Sequence, residues 1–113
     1  MPADLDLLRG TLDLFVLKTL TWGPRHGLAI ARWIDEVTDS GLQIEEGALY
    51  PALHRMEQKG WLAGEWGTSE NGRRARFYKL TAQGRRAYAS QLTTWHRYTS
   101  VATLILSAKG ASL

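Results

Sequence analysis

The sequence predicts a mainly α-helical domain with one small β-hairpin and a long C-terminal helix. Apolar residues recur at helical spacing in three segments before residue 60. The pattern then changes to a loose alternation, broken at Asn71–Gly72, which is typical of a hairpin. From Tyr88 to Ile105, apolar residues return at alternating steps of three and four, which indicates a helix that packs on another helix. The 113 residues fit one domain per chain.

The first predicted helix, in LDLLRGTLDLFVLKTL, is apolar on more than one face. One helical stripe contains Leu8, Leu12, Phe15, Val16 and Leu20, and Leu7, Leu14 and Leu17 lie beside it. Because both faces must be covered, we expect part of this helix in the core and part, including Leu7 and Leu14, in a subunit interface. Asp4 or Asp6 is expected to cap its start, and Gly23–Pro24 to end it.

The second predicted helix covers residues 26–38, where the apolar stripe consists of Ile30, Trp33, Ile34 and Val37. A loop follows, and then Leu42–Ile44, for which we expect a short extended segment.

The third predicted helix lies in EEGALYPALHRMEQKGW. Pro51 lacks an amide hydrogen and is tolerated only near a helix start, which predicts that the helix begins at about Gly47 or Ala48. Leu49, Leu53 and Met56 face inward, and Gly60 ends the helix as a left-handed cap. The outer face of the first turn carries little side-chain bulk, which allows its backbone to approach another surface closely.

The hairpin follows from Trp61, with Asn71 and Gly72 expected to supply the positive φ of its turn. Thr81 then caps a last helix from about Ala82 to Leu106. Its seam predicts contact with a second copy of the chain through Leu92, Trp95, Thr99, Ala102 and Ile105, with Tyr98 as the alternative to Thr99. We expect residues 107–113 to fray.

Charge is distributed unevenly along the chain. Residues 1–70 contain 6 Lys/Arg and all 11 Asp/Glu, a net charge of −5, whereas residues 71–113 contain 8 Lys/Arg and no acid, a net charge of +8. A basic segment of this kind favours a surface that meets phosphate. A solvated basic helix without a partner is the alternative.

Three helices followed by a hairpin is the element order of the winged helix-turn-helix. In that fold the third helix enters the major groove of DNA, and the hairpin lies along the backbone or the minor groove. We therefore expect residues 1–80 to form a winged helix DNA-binding domain, and residues 81–113 to form a C-terminal dimerisation helix and tail.

This arrangement assigns candidate DNA contacts to the third helix. Ala48 can touch a thymine methyl, Tyr50 can donate to a phosphate or a base edge, and His54 and Arg55 lie one turn further along the outer face. The alternatives are packing against the hairpin for Tyr50, an exposed polar position for His54 and a surface ion pair for Arg55.

The hairpin carries a second set of candidates. Strand alternation places Arg74 and Arg76 on one face, with Arg73 and Lys79 on the other. We expect Arg73, Arg74 and Arg76 to contact phosphate. The alternative is that these charges keep an exposed edge strand from pairing with another chain.

Four successive segments resemble the PadR family of bacterial transcriptional regulators. They are LLRGTLDLFVLKTL, GPRHGLAIARWI, EEGALYPALHRMEQKGWL and NGRRARFYKLTAQGR. The match covers residues 7–90, and the long last helix is similar to that of short-form members, in which it dimerises the protein against its partner's N-terminal and C-terminal helices.

The resemblance implies a homodimeric repressor that binds double-stranded DNA at an inverted-repeat operator and is released by a small ligand. It carries DNA contact onto Ala48, Tyr50, Pro51 and Arg55 in the third helix, onto Arg73, Arg74 and Arg76 in the hairpin, and onto Arg25 and His26 before the second helix. It also implies a small aromatic effector at Trp95, for which plain interface packing is the alternative.

Other classes of function find little support. The three histidines show no metal-binding spacing, the motifs of hydrolases, P-loop proteins and dinucleotide-binding proteins do not occur, and there is no cysteine. We therefore expect no enzyme, no metal and no cofactor. No apolar run approaches the roughly 18 residues of a membrane span, and the acidic start is unlike a secretory signal, so we expect a cytoplasmic protein without a membrane partner. The alternative function is a winged-helix protein interaction module that does not bind DNA.

Overall fold

The computed structural model describes the backbone of residues 2–110 and the side chains of residues 10–110. The elements in chain order are α1 (Pro2–Thr19), a short 3-10 helix (Leu20–Trp22), β1 (Arg25–His26), α2 (Gly27–Val37), α3 (Glu46–Gln58), β2 (Leu62–Thr68), β3 (Arg74–Leu80) and α4 (Ala82–Ser107). The predicted fold class, a winged helix-turn-helix followed by a long last helix, is confirmed. We refer to the β2–β3 hairpin, residues 62–80, as the wing.

The strands form one antiparallel sheet in the order β1–β3–β2. β2 and β3 pair along their whole length, with Trp66 opposite Arg76, and β1 joins the other edge by pairing Arg25 with Tyr78. β1 was not predicted, because two residues are too short to show alternation. The segment Leu42–Ile44, expected to be extended, forms no strand, and Leu42 and Ile44 pack against the core.

The core lies where the three N-terminal helices meet the sheet. Its fully buried large side chains come from the first three helices and the turn that follows α1, and they include Val16, Leu17, Leu20, Ile30, Leu49, Leu53 and Met56. Leu62, Tyr78 and Leu80 close the core from the wing. This shared core fixes the inner face of α3, so that the opposite face of α3 is presented to solvent.

Caps and turns follow the sequence at most positions. Thr81 accepts a hydrogen bond from the Gly84 amide at 2.9 Å and so caps α4, and Gly60 ends α3 with φ +80°. In the wing turn only Gly72 has positive φ (+78°), so the expectation for Asn71 is wrong. α1 begins at Pro2, before Asp4 and Asp6, so neither of them is its N-cap.

α4 is 26 residues long and packs against α1 in the same chain. The Trp95 ring meets the Phe15 ring edge-on, with 6.5 Å between the centroids. Beyond this contact α4 exposes an apolar stripe, with Tyr98 68%, Val101 50%, Leu104 72% and Ile105 68% exposed. The helix extends one residue past the predicted end, and residues 108–110 are irregular, whereas residues 111–113 of the segment expected to fray lie outside the described part.

Candidate nucleic-acid interface

The outer face of α3 is open at its N-terminal end. α3 begins at Glu46, with Glu45 as its N-cap, and Gly47, Tyr50, Pro51 and His54 are exposed. Pro51 is therefore the sixth helical residue. The predicted start at Gly47 or Ala48 would have made it the fifth or the fourth. Since proline has no amide hydrogen, the Gly47 carbonyl has no helical donor and remains an acceptor at this surface.

Tyr50 leans on the start of α2. A Cβ atom at Gly27 would lie 2.7 Å from the Tyr50 ring, so the ring occupies space that only glycine leaves open. The side chain is nevertheless 44% exposed. Tyr50 thus has a fixed orientation together with an accessible edge, which suits a contact to a ligand surface better than a mobile side chain would.

A cleft separates the wing from α2 and α3, and we call it the wing cleft. Gly27 and Tyr50 line one side of it, and Trp66, Arg73 and Arg74 line the other. The predicted contacts of α3 and of the wing therefore face a common space.

The three wing arginines differ in their surroundings. Arg73 is exposed in the turn, and Arg74 is exposed with its guanidinium 4.5 Å from the centre of the Trp66 ring. Arg76 lies on the same face of β3 as Arg74, as strand alternation predicts, but it forms an ion pair with Glu57 of α3. Arg73 and Arg74 are thus the cations of this set that are most accessible to an external phosphate.

Besides Arg76, two further predicted contacts are engaged within the chain. The His26 side chain is nearly buried; its Nδ1 accepts from the Ala29 amide at 3.2 Å and its Nε2 lies 3.5 Å from the Glu70 carboxylate. His26 therefore caps α2 and contacts Glu70 in the wing turn. Arg55 donates to Asp13 of α1 at 2.7 Å, which is the ion-pair alternative considered for it.

The remaining predicted contacts are only partly accessible. Arg25 is half-buried in β1, and Ala48 is half-buried on α3. Arg32, which was not a predicted contact, lies 3.7 Å from Glu70.

Three ionisable side chains near this surface have shifted pKa values. The hydrogen bond to Glu57 raises the pKa of the Arg76 guanidinium above its ordinary value. Burial raises the pKa of Tyr78, with the nearby Arg76 charge opposing that change. A backbone hydrogen bond and, after it, the His26 side chain lower the pKa of Glu70. Arg76 and Glu70 are therefore ionised at neutral pH, and Tyr78 is neutral.

Trp66 and Glu57 were not predicted to be part of this surface. Trp66 stands directly opposite Arg76 in the hairpin register, so a correct placement of the turn would have revealed it. Glu57 has no comparable signal, because its partner is 19 residues away in the chain.

The predicted dimer contacts divide into three groups. Leu14 is only 6% exposed within one chain, so it is already covered. Leu92, Trp95, Thr99 and Ala102 are half-buried on α4, and Ile105 is exposed. The Leu7 side chain lies outside the described residues.

No group of three or more acidic or histidine side chains within residues 10–110 is arranged to hold a metal ion. Along the described backbone, none of the helices combines the length and the apolar character that a bilayer crossing requires.

Comparison with known proteins places the chain in one family of transcriptional regulators. Residues 16–90 match the model of the transcriptional regulator PadR-like family. A transcriptional regulator of Mycobacterium tuberculosis is 33% identical over 79 residues, which is 70% of each chain. A transcriptional regulator from Clostridium thermocellum superposes with a TM-score of 0.80 at 28% identity, covering 87% of this chain and 95% of the other. A PadR family regulator from Eggerthella lenta gives 0.77 at 30% identity, covering 96% and 92%.

Proposed function

Because the chain belongs to the PadR-like family of transcriptional regulators, we propose that it is a homodimeric repressor that binds an inverted-repeat operator. The observation that carries this proposal is the wing cleft, where Tyr50 of α3 and Arg73 and Arg74 of the wing face one space. A helix with a slim outer face beside a cationic hairpin suits a major groove and its flanking phosphates.

In this proposal α3 reads the bases. Ala48 contacts a thymine methyl, and Tyr50 and His54 reach base edges or phosphates. Pro51 and Gly47 allow the helix backbone to approach, since neither projects a long side chain. Arg55 contributes to DNA contact only if it leaves Asp13, and His26 acts through the α2 cap and not through its own ring.

The wing and β1 supply the phosphate contacts. Arg73 and Arg74 provide exposed charge, and Arg25 adds a half-buried cation beside the same cleft. Such contacts fix orientation and affinity but carry no sequence information. Neutralising roughly six phosphates per dimer gives a logarithmic salt slope near −5.

A second copy of the chain covers the apolar stripe of α4. Four large side chains between Tyr98 and Ile105 are at least half exposed in one chain, which is costly in water unless a partner buries them. Packing two such helices together gives a symmetric dimer, with the interface extended by Leu92, Trp95, Thr99 and Ala102. Its two copies of α3 would reach half-sites about 34–36 Å apart.

An aromatic effector at Trp95 is the remaining element of the proposal. Trp95 lies between Phe15 and Tyr98, at centroid distances of 6.5 Å and 6.4 Å, close to where the dimer would form. A planar ligand stacked there would change how α4 packs on α1. Quenching of Trp95 fluorescence by a ligand that also releases DNA supports this role, and a Trp95→Phe variant that responds equally to the ligand contradicts it.

The test uses the purified chain and a duplex from its own upstream region. We expect a dimeric mass by size-exclusion chromatography, a footprint over an inverted repeat, and lower transcription from that promoter when the protein is added. Arg74→Ala should weaken binding to all duplexes alike, whereas changes at Ala48 or His54 should alter which duplexes bind. A monomer at micromolar concentration that ignores every duplex would refute the proposal and favour a protein interaction module.

A further inference from the structure

The Arg76 guanidinium is held between the wing and α3. It forms an ion pair with Glu57, and it lies 5.9 Å from the centre of the Trp66 ring and 5.8 Å from the centre of the Tyr78 ring. The Arg76 and Glu57 side chains are only 33% and 28% exposed. The ion pair uses Nη2 of Arg76, so a phosphate that binds this guanidinium must compete with Glu57 or use the remaining N–H groups.

Gly64 provides the space for this guanidinium. A Cβ atom at position 64 would lie 2.5 Å from Nη2 of Arg76 and 2.6 Å from its Nε. The atoms in the way belong to the far end of a flexible side chain. An alanine here would therefore displace the guanidinium from its position beside Glu57, while it leaves every charge in the chain unchanged.

Trp66 links this contact to Arg74. Its ring is 55% exposed and supports the Arg74 guanidinium at 4.5 Å, while Arg76 lies on the same strand face at 5.9 Å. Cation–π contacts of this kind restrict the orientation of an arginine that is otherwise free to rotate. The position of Arg74 is therefore set by the ring, and the ring belongs to a hairpin that Arg76 joins to α3.

We propose that Glu57, acting through Arg76, and Trp66 are positioning residues for DNA recognition. They fix the distance between the wing and α3, so that Arg74 and the outer face of α3 contact the same duplex at the same time. The inference rests on the proposed DNA-binding function and adds a role for an acidic residue of the recognition helix. Glu57 increases the preference for the operator, although its charge repels DNA.

The change in net charge alone predicts the opposite effect of a Glu57 substitution on DNA binding. Glu57→Gln removes one negative charge per chain and weakens the pairing with Arg76, which should tighten binding to every duplex and steepen its salt dependence. If the positioning role holds, the variant loses affinity for the operator while it keeps or gains affinity for unrelated DNA. We expect the ratio of operator to non-specific affinity to fall about tenfold, the size of one lost specific contact.

The experiment measures fluorescence anisotropy of an operator duplex and a scrambled duplex at two salt concentrations. Glu57→Gln is compared with Glu65→Gln, which makes the same charge change on an exposed wing position that forms no ion pair among residues 10–110. Gly64→Ala is the second variant, and it should lower the affinity ratio without changing net charge. Circular dichroism confirms that each variant is folded.

The outcomes separate the two proposals. A wild-type chain that does not distinguish the operator from scrambled DNA defeats the proposed function itself. If the wild type discriminates but Glu57→Gln matches Glu65→Gln, the positioning role is wrong. A lower affinity ratio in both Glu57→Gln and Gly64→Ala, with Glu65→Gln near the wild type, supports it. A loss confined to Glu57→Gln overturns the part assigned to Gly64 and Arg76.

Discussion

Replacing Gly84 by alanine tests how closely α4 is joined to the winged domain. In most helix interiors this change stabilises a protein, because alanine has the higher helix propensity by about 1 kcal/mol. At Gly84 the added Cβ atom would lie 2.0 Å from the Trp61 carbonyl oxygen and 3.3 Å from a Leu80 methyl carbon. Normal contact requires about 3.5 Å, so the first turn of α4 must move by roughly 1.5 Å.

That movement breaks the cap of α4. Thr81 Oγ1 accepts from the Gly84 amide at 2.9 Å and donates to the Gly60 carbonyl at 2.6 Å. Losing a threonine cap costs about 1 kcal/mol, and forcing a methyl into packed backbone costs about 1–3 kcal/mol. With the propensity gain set against these losses, we expect Gly84→Ala to lower the free energy of unfolding by about 1–3 kcal/mol.

The assay is urea unfolding followed by circular dichroism at one fixed protein concentration, since association would otherwise shift the midpoint. Gly10→Ala is the matched control. Gly10 also lies inside a helix, but no described atom beyond its own helix lies within 4 Å of the added methyl, so this variant should gain about 0.5–1 kcal/mol. A Gly84→Ala protein as stable as the wild type would show that the close contact with Trp61 does not constrain α4.

Three further outcomes are expected. Ile105→Glu should leave the fold intact and yield a monomeric mass by light scattering, because Ile105 is 68% exposed in one chain; Ser107→Glu is its control, and an unchanged dimer would exclude this face. Asp13→Asn should lower stability by about 1 kcal/mol in denaturant titration through loss of the Arg55 pair, and equal midpoints would contradict this. Because the pKa of Glu70 is lowered from its ordinary 4.5, its contact stabilises the wing turn above pH 4.5 and is lost as the pH falls through the lowered value. An NMR titration of the Glu70 carboxyl group should show its lowered pKa as an inflection. His26→Asn, which keeps a capping side chain, should move that inflection to higher pH, and an unchanged inflection would exclude the His26 contact.

The first three helices and the wing were predictable because each buries apolar residues at regular spacing against one core. Ile30 and Ile34, or Leu49 and Leu53, are apolar at helical spacing and are buried in the structure. β1 was not predictable, since its two residues are held by pairing with β3 and not by their own pattern. Pro51 predicted the helix start to within one or two residues, and the exposed outer face of α3 tolerates the missing hydrogen bond at the sixth helical position.

The candidate site was predictable as a set of charges but not as a set of contacts. The acid-free C-terminal segment identified the wing arginines, yet nothing local distinguishes Arg74 from Arg76. That difference comes from Glu57 on another element, just as the Arg55 partner, Asp13, is 42 residues away. Ion pairs between residues so far apart depend on how the helices and strands pack, and the periodicity of apolar residues does not predict them.

α1 is in contact with both ends of the molecule. Asp13 binds Arg55 of α3, and Phe15, two residues later, meets Trp95 of α4. Since a helix of this length moves nearly as a rigid body, any displacement of Phe15 also displaces the Asp13 carboxylate. Arg55 must then either follow that carboxylate or lose the ion pair, so a rigid-body shift of α1 would affect the Phe15–Trp95 contact and the Asp13–Arg55 ion pair together.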